Sequence, residues 1–215
     1  KKKEMSTNHK KVARILRENG LNHRMKKKFR ITTESNHDLP VTPNLLARDF
    51  TATLPNKKWV SDISYVWTAE GWLYLCVIID LFSRKIVGWS VSSRIDTELL
   101  LMAFWHAIFT RKPGKGLIFH SDRGSQYCSH RFRNTLGFAG FVQSMSRRGN
   151  CWDNACAESF FKSMKTEWLY DLSFKTRQEA KDLLFEYIEV FYNRKRAHSS
   201  IGYESPESYE SKPAA

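Results

Sequence analysis

No apolar run in this sequence approaches the roughly 20 residues that a membrane-spanning helix needs. The run from Leu73 to Ile79 is of strand length, and the N-terminus opens on lysines without the apolar stretch of a secretory leader. Neither a membrane protein nor a secreted one is expected. Cysteine is scarce. Its four copies, Cys76, Cys128, Cys151 and Cys156, form no CxxC pair, and no second Cys/His pair follows at zinc-finger spacing. Reduced thiols are therefore expected, rather than a disulfide framework or a structural zinc. Acidic residues are outnumbered: 22 Asp and Glu face 35 Lys and Arg, a net charge of +13 over 215 residues. That excess points to a polyanionic partner. What remains is ample for folding, since hydrophobic residues make up 41% and aromatics 13%. The length suits one core domain with a smaller appendage. The first residue is Lys1 rather than Met, which reads as a fragment with an upstream partner domain missing.

The charge is uneven along the chain. Residues 1–40 hold twelve Lys and Arg against four acids, and include the run Lys26, Lys27, Lys28. In this stretch Val12, Ile15 and Leu16 make an apolar stripe at helical spacing, with Thr7 or Asn8 as a cap and Gly20 as a stop. Pro40, Pro43 and Pro55 then bracket a linker. From Trp59 the pattern changes to β-branched and aromatic segments, 59–66, 73–80 and 85–91, joined by short turns as in an antiparallel meander. A helix over 96–111 follows, then a strand at 117–120, a helix near 130–138 and a strand at 141–144. A long helix from about 152 to 170 and a last one from about 176 to 192 complete the order βββαβαβαα.

Three acids stand out. Asp62 lies inside the first strand, among apolar and hydroxyl residues, where surface packing explains it poorly. Asp122 ends the fourth strand in His120-Ser121-Asp122-Arg123-Gly124. Glu158 sits near the start of the long helix, with 35 residues between it and Asp122. Polynucleotidyl transfer calls for such a set: two divalent ions flanking a phosphate, about 3.5–4 Å apart, held by carboxylates that converge from distant elements. The nearby rivals read otherwise. Asp153 suits a helix cap, Glu167 falls on the far side of the helix from Glu158, and Asp80 closes a strand before a tight turn. His120 is expected to be a neutral strand histidine beside the acid. Ser125, Ser146 and Ser159 have no Ser-His-Asp setting, so covalent nucleophilic catalysis fits poorly.

The Asp–Asp–35–Glu arrangement resembles the DDE pattern of transposases and retroviral integrases. The words His120-Ser121-Asp122-Arg123-Gly124-Ser125-Gln126-Tyr127, Ile79-Asp80-Leu81-Phe82-Ser83-Arg84-Lys85, Asp153 to Phe161, and Tyr192-Asn193-Arg194-Lys195-Arg196-Ala197-His198 narrow it. Together they resemble the bacterial insertion-sequence transposases of the family numbered three, over about residues 8–210. The resemblance implies an α/β ribonuclease-H-like fold, three antiparallel strands and then shorter parallel ones, flanked by helices. It implies Asp62, Asp122 and Glu158 as catalytic metal ligands for two Mg²⁺, with Mn²⁺ as a substitute, and 3′-hydroxyl attack on DNA. It also implies DNA as the partner, a homo-oligomer on that DNA, and a bacterial cytoplasmic, nucleoid-associated setting. The expected division is 1–56 for a basic DNA-binding remnant and linker, 57–200 for the catalytic core and 201–215 for a tail. A metal-dependent nuclease of the same fold, which only hydrolyses, is the alternative.

Candidate DNA contacts follow. Lys162 and Lys165 share the helix face of Glu158, and the family favours Lys165 at the DNA end. The adjacent stripe Ala157, Phe161, Met164 and Trp168 is expected to pack on the sheet. Arg147 and Arg148 belong to a loop expected over the site. Arg194 and Arg196, with Lys26 to Lys28, are candidates for tracking phosphates, which gives affinity without sequence readout.

Overall fold

The computed structural model describes residues 8–20, 37–169 and 172–212, apart from the side chain of Cys151. Lys26, Lys27 and Lys28 lie outside the described residues. The chain divides into two units, residues 1–30 and 31–215. In the first, α1 (His9–Glu18) is capped by Asn8, whose side chain accepts from the Lys10 N–H at 2.9 Å, and Gly20 follows at φ +68°. The expected stop residue thus takes the left-handed conformation that glycine adopts without strain.

The second unit is built on one sheet. Its strands are β1 (Lys58–Thr68), β2 (Gly71–Asp80), β3 (Ile86–Ser92), β4 (Ile118–Ser121) and β5 (Val142–Met145). They lie in the order β3-β2-β1-β4-β5, with β1–β2 and β2–β3 antiparallel and β1–β4 and β4–β5 parallel. The period-2 alternation of a strand separates its two faces. Trp59 and Ile63 of β1, with Cys76 and Ile78 of β2, join one core cluster; Val60 and Val66, with Leu75, Val77 and Ile79, join the other.

Helices cover both faces. On the first, α2 (Thr97–Arg111) buries Leu99, Leu100, Ala103, Phe104 and Ala107, its start capped by Asp96 accepting from Leu99 N–H at 3.0 Å. It comes so close to β3 that a Cβ on Gly88 would lie 2.3 Å from the Ala103 carbonyl oxygen. The short α3 (Ser125–Cys128) and α4 (His130–Ala139) complete that layer. On the second face lie α5 (Ala155–Met164) and α6 (Arg177–Phe185), the latter opened by a reciprocal Thr176–Glu179 capping box.

Two helices differ from expectation. The segment 152–170 is not one helix: a 3₁₀ turn (Cys151–Asn154) precedes α5, and a π-helical stretch (Lys165–Leu169) follows it. The last helix likewise turns π-helical over Glu186–Tyr192. The cause at the first end is anchoring, because Asp153 and Asn154 are tied to other elements. At the other end the two wide turns meet through Trp168, whose ring lies 5.4 Å from Tyr187 and 5.0 Å from Phe191. The expected tail contributes α7 (Pro206–Glu210). Its Glu210 accepts from Arg111 Nη1 at 2.7 Å and from the Ser83 hydroxyl at 2.7 Å, which fastens it to the second unit. No helix among the described residues is long and apolar enough to cross a membrane.

Candidate active site

β1 and β4 pair only from Lys58 to Val60, so Asp62 stands just past the point where the two strands part. The strand's alternation turns it to the α5 face, with Val60 and Val66. Asp62 is half-buried, and its Oδ1 accepts from the Ile63 N–H at 2.8 Å. Asp122 directly follows β4, and its Oδ1 accepts from Gly124 N–H at 2.9 Å, a turn that fixes the carboxyl at the strand end. Glu158 occupies the first turn of α5 and is exposed.

The three share one electrostatic field. Burial, then the charge of Asp122 and more weakly that of Glu158, push the Asp62 carboxyl well above the ordinary carboxylate range; the Lys165 charge opposes them. Glu158 is raised in the same way, by burial and then by Asp122. Like charges held together in a partly dry site repel, and a divalent cation relieves that repulsion. The donor set is all carboxylate oxygen, which suits Mg²⁺ or Mn²⁺. Among the described residues, no three His, Cys, Asp or Glu side chains stand close enough to hold an ion as they are. The fit is therefore one of donor chemistry and shared charge, not of formed ligation.

Lys165 joins this group. It is half-buried, its Nζ lies 4.6 Å from the centroid of the Tyr65 ring, and burial lowers its pKa against the pull of Asp62. Lys162 is exposed. Tyr65 was not picked out from the sequence, and nothing in the pattern marks it beyond its place three residues after Asp62. Asn154 was also missed: it is buried, and its Nδ2 donates to the Ser61 carbonyl at 3.2 Å, tying the start of α5 to β1 beside Asp62.

The rival acids resolve. Asp80 has a fully buried side chain and accepts from Asn56 N–H at 2.7 Å and Phe82 N–H at 3.0 Å, in the turn role expected of it. His120 is buried between the hydroxyls of Ser144 (2.8 Å) and Ser146 (3.2 Å), and burial pushes it down to about 4, so it is neutral at physiological pH. Glu167 holds Arg196 at 2.6 Å.

Asp153 does not cap a helix. Its carboxylate is fully buried and accepts five bonds: from Arg147 N–H (2.9 Å), Nε (2.9 Å) and Nη2 (2.8 Å), from Arg48 Nε (2.9 Å) and from Asn44 Nδ2 (2.9 Å). The expectation for Arg147 changes with it. That guanidinium clamps its own loop to Asp153 instead of standing free over the site, while Arg148 is exposed. Arg194 and Arg196 are similarly engaged, with Glu207 at 3.4 Å and with Glu167. Arg194 and Arg196 are drawn in by acids 13 and 29 residues away, which local charge counting does not reveal.

Known proteins bear on this geometry. Two family models, each described as an integrase core domain, match residues 52–151 and residues 158–213. The transposase InsF of insertion sequence IS3A from Escherichia coli is 46% identical over 208 residues, which cover 97% of this chain and 72% of that one. A 31 kDa protein of insertion element IS600 from Shigella sonnei is 47% identical over 201 residues, covering 94% and 74% of the two chains. The chain belongs to the insertion-sequence transposases of the IS3 type. This transposase carries the integrase-type core of a DDE polynucleotidyl transferase. A solved HTLV-2 integrase catalytic core, described in complex with magnesium, superposes with a TM-score of 0.54 at 17% identity, over 73% of this chain and 97% of that one. That likeness fixes the fold as ribonuclease-H-like.

Proposed function

We propose that Asp62, Asp122 and Glu158 are the catalytic residues of DNA strand cleavage and 3′-hydroxyl strand transfer at insertion-sequence ends. The observation that carries this is the shared field of three carboxylates drawn from β1, the end of β4 and α5. These oxygens would hold two Mg²⁺ ions, or Mn²⁺ in their place. When bound, the ions supply charge neutralisation at the phosphate and activation of the attacking oxygen.

The chain's own residues do the rest. Asn154 and Ser61 hold the start of α5 against β1, one turn before Glu158. Lys165, packed on Tyr65, places a positive charge beside Asp62 to position a DNA-end phosphate. Residues 57–200 form the catalytic region and residues 1–56 supply basic DNA contacts, including Lys26 to Lys28. The protein works as a homo-oligomer on DNA in the bacterial cytoplasm, at the nucleoid.

Asp62→Asn, Asp122→Asn and Glu158→Gln should each abolish cleavage and transfer while leaving DNA binding within a few-fold. Near-wild-type metal-dependent activity in any one of them removes that residue from the site. A labelled DNA 3′-hydroxyl end separates transfer from hydrolysis alone.

A further inference from the structure

A cavity of about 430 Å³ opens on another side of α5, between that helix, the β2–β3 turn and the segment from Tyr192 to Tyr203. Its lining includes Arg84, Arg196, His198, Ser159, Ser163 and Cys156, and no Asp or Glu. Arg196 is neutralised by Glu167, outside the cavity. Arg84 is not. Its guanidinium donates to the Ser200 hydroxyl (3.3 Å), Cys156 Sγ (3.0 Å) and the Phe50 carbonyl (3.0 Å), all uncharged groups. Burial raises the Cys156 thiol, so it stays protonated and does not supply the missing negative charge. Among the described residues, no carboxylate forms an ion pair with Arg84. The same positive field reaches His198: after burial, Arg196 and Arg84 are what push it down to about 4. A half-buried arginine with neutral partners, set among hydroxyls, is arranged for an anion with several acceptor oxygens.

We propose that this cavity seats one backbone phosphate of DNA, a contact separate from the carboxylate site. The proposal rests on the transposase reading for DNA as the source of the phosphate. Along α5, Ser159 and Ser163 lie about 100° and 140° round the axis from Glu158, so a strand crossing the helix passes from one site to the other. The volume suits a phosphate and its sugar, not a duplex, which places the strand across the mouth.

Two variants test it, Arg84→Gln and Ser159→Glu, the second bringing a carboxylate to the mouth from an exposed helix position. Affinity for duplex DNA is measured against salt in the presence of a chelator, so the result does not depend on the carboxylates holding metal. In each variant the slope of log affinity against log salt should fall by about one, with binding weaker by roughly tenfold at low salt. Millimolar inorganic phosphate should raise the wild-type melting temperature and leave Ser159→Glu unmoved. If Arg84→Gln fails to fold, Ser159→Glu carries the test. Unchanged slope and affinity in Ser159→Glu overturn the proposal, even if inorganic phosphate binds; the cavity would then serve a small phosphate compound. Loss of transfer by Asp62→Asn, measured separately, reports on the catalytic reading alone.

Discussion

Replacing Asp153 by Asn keeps the shape of the side chain and removes its charge. Two donors, Arg48 Nε and Arg147 Nη2, converge on Oδ1, and three on Oδ2. An amide in that place accepts at one oxygen only, so at least the two Oδ1 bonds are lost. Bonds to a charged group contribute about 1.5–3 kcal/mol each. The arginine side chains are 46% and 57% exposed, so water recovers part of that. A net loss of about 2 kcal/mol is expected at pH 7, or roughly 4–8 °C in melting temperature. The pH dependence follows from the direction of the shift. Hydrogen bonds from Arg147, with Arg48 adding to them, hold the Asp153 carboxyl well below the usual range. Its stabilisation is therefore present above the unfolded value near 4 and is lost as the pH falls below it. Urea unfolding of wild type and variant from pH 7 to pH 3 should show the gap closing at the acid end. Trypsin should also cut the variant faster at Arg147 and Arg148. A gap below about 0.5 kcal/mol at pH 7, or one that stays constant to pH 3, would refute the role given to this charge.

Gly88→Ala should destabilise the protein by about 3 kcal/mol or more, because its Cβ would meet Ala103 O and Ala107 backbone that only a shift of α2 can clear. Gly137→Ala, in α4 with open space around it, should instead add about 0.5–1 kcal/mol; both are read from urea midpoints. Lys165→Ala should lower strand transfer more than Lys162→Ala, with Lys165→Arg restoring part of it. Transfer by Lys165→Ala equal to wild type at every salt and Mg²⁺ level would return the residue to a packing role. Deleting residues 1–40, with their twelve Lys and Arg against four acids, should flatten the salt dependence of DNA binding by several units. An unmoved slope would place the basic face elsewhere.

The strand meander was legible in the sequence for a definite reason, and the same pattern singled out the acids proposed for the site. Apolar alternation states which residues are buried, and a carboxylate inside such a pattern, as at Asp62, stands out against it. The stripe Ala157, Phe161 and Met164 was legible too, and all three are buried. The winding of that segment was not. Periodicity reports which face is covered, whereas the 3₁₀ turn and the π stretch depend on Asn154 reaching Ser61 and Trp168 reaching Phe191. The Asp153 clamp was hidden for the same reason, since Arg48 and Asn44 lie 105 and 109 residues away in the chain.

The parting of β1 and β4 after Val60 has a consequence for a chain emerging from the ribosome. The meander of β1 to β3 is local in sequence and closes early, yet it holds only one of the three carboxylates. The second arrives with a parallel pairing across some sixty residues, the slow kind of contact. The third comes only when α5 docks on the face to which Asp62 turns. A half-made chain therefore lacks two of the three carboxylates proposed to cut DNA. With the proposed acids as its cutting centre, the transposase stays unarmed until α5, Ala155–Met164 of these 215 residues, has been made and has docked.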